Sequence, residues 1–248
     1  MDYKAINPGA SLSDFVESFW MLSGNTGQDK DIVILPDGRI DVIFSWSDRE
    51  PLHVMLMSLD LKAFYETLPA GTMMFAVSLK LPALEYILDT TSSITPEQPI
   101  PLPDDFWGVS AADLRDFNSF VDRTSAAMLT TLQTKKIDSR KKKLFGLIYD
   151  TKGSMTVAAL AEQSCWSARQ INRYFNERVG ISLKEYCGIL RFRASFLHLK
   201  EGRLFPEENF ADQAHFIKSI KKLSGVTPKE LSKNKNDRFI QFSAMPKE

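Results

Sequence analysis

The sequence predicts an α+β protein. A β-rich N-terminal domain of barrel or sandwich type is followed by an all-α domain with two helix-turn-helix units joined by a linker helix. Three observations carry that prediction. Ile40, Val42, Phe44 and Trp46 alternate with Asp41, Ile43 and Ser45, a period of two. A seven-residue pattern recurs 45 positions apart, at residues 180–186 and 225–231, each copy opening on Gly and continuing with Ser or Thr followed three residues later by Glu. Charge is also divided: residues 1–134 hold 8 Lys+Arg against 19 Asp+Glu, and residues 135–248 hold 23 against 12, although the whole chain sums to zero.

In the N-terminal part, Pro36-Asp37-Gly38 is turn chemistry ahead of the first alternating run. Residues 54–59 and 75–81 are short apolar runs of strand type, separated by turn residues such as Pro69-Ala70-Gly71. Residues 95–104 hold four prolines and read as a surface loop. A helix is predicted from Ser110, with Asp113 as its capping partner and Leu114, Phe117, Val121, Met128 and Leu132 near helical spacing. An effector pocket lined by Phe44, Trp46, Phe64 and Phe75 is one reading of the aromatic residues, and filling of a core is the other. Asp37 and Asp41 are assigned to turn and surface roles. The helix after Ser110 is a candidate surface for homodimerisation.

The composition turns basic at Lys135-Lys136, and the boundary between residues 1–134 and 135–248 is drawn there. Ser139 is read as the cap of a helix with Leu144, Leu147 and Ile148 inward. Its basic run, residues 140–143, opposes the helix dipole and fits either phosphate contact or a solvated face. Thr156 then caps a helix with Val157, Leu160 and Ala161 on one stripe. A turn at Ser164-Cys165-Trp166 leads to a second helix opened by Ser167, with Gln170 completing a capping box. Ile171 and Phe175 point inward, which leaves Arg169, Gln170 and Arg173 outside. Two short helices with a tight turn and a basic outer face form a helix-turn-helix unit.

The copy at the 45-residue offset keeps the buried positions, as Phe216 and Ile220, and presents Asp212, Gln213, His215, Lys218 and Lys222. Between the units a single linker helix is predicted from Leu183 to about Lys200, with Leu183, Tyr186, Leu190, Ala194 and Leu197 inward. Such a helix spans ~27 Å, comparable to the ~34 Å of one DNA turn.

That arrangement points to double-stranded DNA. Arg169, Gln170 and Arg173 are the candidate base readers, because Arg pairs bidentately with guanine and Gln with adenine. Gln213 and Lys218 are the corresponding candidates in the second unit. Ser182, Lys184, Lys221, Thr227 and Lys229 lie where phosphates meet helix N-termini and cations. The three His, at 53, 198 and 215, lack metal-ligand spacing, and His198 is read as packed or solvent-facing. Two Cys build no disulfide framework, and Cys165 is read as a small buried hydrophobe. No nucleophile elbow or phosphate loop occurs, so no enzyme, cofactor or metal is expected. No signal peptide or membrane-length apolar stretch is visible, so a soluble cytoplasmic protein is expected.

Residues 157–161 (Val-Ala-Ala-Leu-Ala), 166–170 (Trp-Ser-Ala-Arg-Gln), 172–175 (Asn-Arg-Tyr-Phe), 210–216 (Phe-Ala-Asp-Gln-Ala-His-Phe) and 225–228 (Gly-Val-Thr-Pro) resemble the AraC/XylS family of transcription regulators. The resemblance covers about residues 140–232. It implies a seven-helix DNA-binding domain with two helix-turn-helix units, and control of transcription initiation, often through contact with RNA polymerase. Residues 35–44 are similar to an N-terminal domain found in a subset of that family, which implies an effector-sensing or dimerising role. The DNA-repair methyltransferases of some relatives need reactive cysteines, and the first 134 residues contain none. The chain departs from the pattern at residues 203–209, where Pro206 interrupts the helix expected before the second recognition helix. The alternative to a regulator is a ligand-binding or protein-interaction module with weak, non-specific nucleic-acid binding.

Overall fold

The computed structural model describes residues 2–24, 27–88, 95–205, 210 and 212–244. The N-terminal half supplies eight strands: β1 Asp2–Ile6, β2 Val16–Ser23, β3 Lys30–Ile34, β4 Ile40–Trp46, β5 His53–Met57, β6 Phe64–Leu68, β7 Met73–Leu79 and β8 Ile100–Leu102. Six form one antiparallel sheet in the order β1-β2-β7-β4-β5-β8, and β3 pairs with β6 in a separate ribbon. A short helix, α1 Ala83–Tyr86, follows β7.

Register sorts the large sheet into two faces. Phe44 lies opposite both Phe75 and Val54, and Val42 opposite Val77 and Leu56. These residues share the face that packs on α2 Phe117–Gln133, where Phe44 and Phe75 both meet Phe120 at 5.3 and 5.4 Å between rings. The alternate residues, Asp41, Ile43 and Ser45 with Ser78, Ala76 and Met74 across from them, face the β3–β6 ribbon side.

Two expectations for this half are corrected. The proline-rich segment contains β8, an edge strand on β5; Pro101 is tolerated there because an edge need not donate. The helix does not begin at Ser110. Asp113 instead accepts from the backbone and hydroxyl of Ser110 in a separate 3-10 turn over Asp113–Arg115, and Asp116 caps α2 by accepting from Ser119 N–H at 2.9 Å.

The second half is helical: α3 Ser139–Asp150, α4 Val157–Ser164, α5 Ala168–Tyr174, α6 Leu183–Ala194, α7 Phe196–Lys200, α8 Gln213–Ser224, α9 Pro228–Lys233 and α10 Ile240–Ala244. Asp138 rather than Ser139 caps α3. Helix α5 continues as one wider turn over Phe175–Val179 and stops at Gly180, which takes the left-handed conformation. The predicted linker is two helices, because the chain bends at Ser195, whose hydroxyl donates to Phe192 O at 2.6 Å in competition with the helical ladder. The straight part, α6, therefore spans only ~18 Å. Leu197, expected inward, is 45% exposed because the bend turns it out.

The chain end, beyond the last repeat, packs on the rest of the molecule. It returns to the N-terminal half: Val33 N–H donates to Arg238 O at 2.6 Å, and the Gln241 amide bonds both the N–H and the C=O of Leu35. Phe239 and Phe242 are buried there.

Candidate nucleic-acid interface and ligand cavity

The first helix-turn-helix is built as its sequence dictates. Thr156 caps α4 by accepting from Ala159 N–H. The turn into α5 is made by Cys165 in the left-handed region, at φ 57°, and Ser167 and Gln170 form a complete capping box. Ile171 and Phe175 are fully buried, while Arg169, Gln170 and Arg173 are exposed on the outer face. Two readings change. Cys165 is exposed rather than buried, because the turn points it outward. Gln170 Oε1 accepts from Ser167 N–H at 2.9 Å, so the acceptor that adenine readout requires is held in the cap.

The second unit differs. Asp212 caps α8 by accepting from His215 N–H at 2.7 Å, and Gln213 and Lys218 are exposed, with Phe216 and Ile220 buried. No helix precedes α8 among the described residues after α7; Pro206, Glu207 and Glu208 lie outside the described residues. The far end of α8 is held by the N-terminal half instead, where Ala63 N–H donates to Leu223 O at 2.8 Å. Ser182 and Thr227 cap α6 and α9, and Lys184, Lys221 and Lys229 are exposed beside those starts. His198 is buried and packs on Phe216, at 6.0 Å between rings.

The basic run of α3 is a largely solvated face, with Arg140, Lys142 and Lys143 exposed, that also carries ion pairs. Lys141 pairs with Glu85 at 2.6 Å, Lys142 with Asp14 at 2.8 Å, and Arg140 with its own cap residue Asp138 at 3.0 Å. It fastens the helical half to the acidic half.

Further contacts join the halves deep inside. Leu81 N–H donates to Tyr149 Oη at 3.0 Å, Tyr149 Oη lies 3.0 Å from Tyr186 Oη, and Tyr186 donates to Gly38 O at 3.0 Å. Because Tyr186 gives its only proton to Gly38, the proton between the two hydroxyls comes from Tyr149. Gly38 sits at φ +77°, and a Cβ there would stand 2.9 Å from Leu190 Cδ2. The turn is thus glycine both for its backbone and for the close seat on α6. Beside it, Glu17 receives Arg39 at 2.9 Å and Arg193 at 2.8 Å. Burial alone raises a carboxyl, but these guanidiniums overcome it and hold Glu17 at about 2.

A cavity of about 1290 Å³ lies under this junction. Its floor is the Asp41 face of the large sheet, one side is the β3–β6 ribbon, and Leu190, Arg193 and Phe196 of the linker helices with Gln241 of the chain end form its roof. Phe64 lines it. Phe44 and Phe75 do not: they are buried on the opposite face of the sheet, and Trp46, on Phe44's side of β4, packs edge-on against Phe75. Of the two readings of these aromatics, core filling holds for Phe44 and Phe75. The polar residues taken for a solvent face line an internal space, so Asp41 has no surface role. Arg39, Asp41 and Asp60 are site residues that the sequence reading missed. Their one signal was the i, i+2 spacing of Arg39, just before β4, and Asp41 within it.

Among the described residues no group of His, Cys, Asp and Glu is placed to hold a metal ion. No helix there is long and apolar enough to cross a membrane.

Residues 4–99 match a family model described as a domain of unknown function, DUF6597. No curated protein matches the chain. Among solved structures, ToxT from Vibrio cholerae covers 86% of this chain and 97% of its own, at 13% identity and a TM-score of 0.50. The chain has the ToxT fold. ToxT from strain SCE256, solved with an unsaturated fatty acid bound, covers 92% of this chain and 90% of its own at 12% identity and a TM-score of 0.43. What ToxT shares with this chain is architecture, a β-rich N-terminal domain followed by a helical one.

Proposed function

We propose that the chain is a sequence-specific DNA-binding transcription regulator of the AraC type, controlled by a small molecule in the cavity between its halves. The observation that supports this most is the first helix-turn-helix. It is a short helix with Arg169 and Arg173 outward, anchored by Ile171 and Phe175 and oriented by a preceding helix through a left-handed turn. That geometry presents one cation near the helix start, Arg169, and a second one turn on, Arg173, to a major groove. Exposed lysines beside the starts of α6 and α9 suit the flanking phosphates. The cavity supports the control: its roof is made from the helices that carry the two units, so an occupant touches both halves at once. No catalytic role is assigned to any residue in this reading.

Selection of bound sequences from a random duplex pool tests it, followed by titration of the winning site against bulk DNA. The expected preference is at least ~10³. Equal affinity for every duplex overturns the regulator and favours a module that binds nucleic acid only through net charge.

A further inference from the structure

We propose, resting on the reading of the cavity as an effector site, that its occupant is an amphipathic organic cation: a protonated amine set against Asp41 and Asp60, on an apolar body that also offers an acceptor to Arg39.

The charges around the cavity are paired unevenly. Glu17 receives Arg39 and Arg193, with Lys80 at 3.7 Å. Asp37 has Arg193 at 4.0 Å and accepts from Arg39 N–H. Asp41 accepts from Trp20 Nε1–H at 3.2 Å and from the Ser78 hydroxyl, both neutral donors, and makes no ion pair among the described residues. Asp60 has neither a hydrogen bond nor an ion pair among them. Burial first, and then the charge of Asp37, pushes the Asp41 carboxyl up to about 7; burial and the neighbouring Asp37, Asp41 and Glu97 do the same to Asp60. Cations do line the cavity, and Arg39 acts on Asp41 through its charge, but none of them forms an ion pair with Asp41 or Asp60 among the described residues, so a bound cation would find two carboxyls open to it.

Arg39 supplies a separate observation. Its side chain is 4% exposed and lines the cavity, yet only Nη2 has a partner. Nε and Nη1 find no acceptor among the described residues. A buried guanidinium N–H without an acceptor is a loss that folding alone does not explain, and an oxygen on a bound molecule removes it.

The remaining lining selects the rest of the molecule. Tyr3 and Trp20, both on the wall, stack at 6.4 Å between rings and offer aromatic faces, which attract cations and exclude carboxylates. Met55, Met57 and Met74 line the floor with flexible thioethers that mould to an apolar body. A bare metal ion does not suit so apolar a surrounding.

The test is calorimetric titration of the full chain with three molecules of one shape, each with a ring methoxy oxygen as the acceptor for Arg39: 4-(4-methoxyphenyl)butylamine, 4-(4-methoxyphenyl)butanol and 4-(4-methoxyphenyl)butyrate. The amine is expected to bind ~10-fold more tightly than the alcohol, the increment of one buried ion pair, and the butyrate least. Asp60→Asn and Asp41→Asn are each expected to lower amine affinity toward that of the alcohol and leave the alcohol unchanged. Butyrate binding as tightly as the amine overturns the proposal, as does an amine affinity unchanged in both variants, or no amine binding at millimolar concentration. Should one variant fail to fold, the other decides, and the ranking in the unsubstituted chain decides by itself. DNA selection on the same preparation separates the two readings: a chain that selects the amine but no DNA sequence keeps the cation site and loses the regulator.

Discussion

The two recognition helices are held in place by different parts of the molecule. Helix α5 is positioned inside the helical half, by α4, a left-handed turn and its own capping box. Between α7 and α8 no further helix lies among the described residues; α8 rests on α6, on His198 of α7 and, at its far end, on Ala63 of the N-terminal half. The difference teaches where control can enter. Under the proposed control, movement of the cavity walls is expected to leave the first helix-turn-helix internally intact and to displace the second relative to it. Sequence reading at the first unit and adjustable spacing at the second would then, under the proposed function, be separate properties of one domain.

The seat between the halves is the strongest place to break that comparison. Gly38→Ala puts a Cβ on Leu190 and demands a left-handed alanine, so a stability loss of about 3 kcal/mol is expected from strain and overpacking together. Chemical denaturation measures it, and a loss below ~1 kcal/mol would show the seat to be soft. Arg169→Ala comes next. It should cost about 1–3 kcal/mol of specific DNA binding and relax sequence preference at the first half-site only. Lys218→Ala, on α8, should cost less and lower affinity evenly across sequences if it meets only phosphate. A reversed order of the two would make α8 the principal reader.

Ala63→Pro removes the N–H that holds the end of α8. The expected result is a loss of about 1 kcal/mol in binding a two-site duplex, with affinity for the isolated first half-site unchanged. An equal loss on both duplexes contradicts the support of α8 by Ala63.

The smallest effect is one of pH, and its sign distinguishes the two charge clusters. Asp60, raised from 3.8 to about 7 by burial and by Asp37, Asp41 and Glu97, keeps a proton in the folded chain that the unfolded chain has already released. It therefore withdraws stability as pH rises from about 4 through about 7. Glu17, held at about 2 by Arg39 and Arg193, acts in the opposite sense and withdraws stability as pH falls below its ordinary range. Thermal melts of Asp60→Asn should show a smaller decline between pH 5 and pH 8 than the unsubstituted chain, by on the order of 1 kcal/mol. Parallel declines would mean that Asp60 is fully hydrated.

Local chemistry made much of this protein legible. Capping boxes, the Gly at each helix end, the alternation in β4 and the inward positions Ile171, Phe175, Phe216 and Ile220 all follow from neighbours within a few residues, and they determine the β-rich first half, the helical second half and the exposed Arg169 and Arg173. Period-two spacing tells that a strand has two faces; it does not tell that the polar face of β4 is covered by a cavity instead of meeting solvent, which is why Asp41 looks like a surface residue from sequence alone. The linker bend at Ser195, the pairing of the α3 lysines with Glu85 and Asp14, and the return of Gln241 to Leu35 join residues far apart in the chain. Such pairings are chosen by which surfaces bury the most apolar area once the halves meet, and no short window of sequence holds that information.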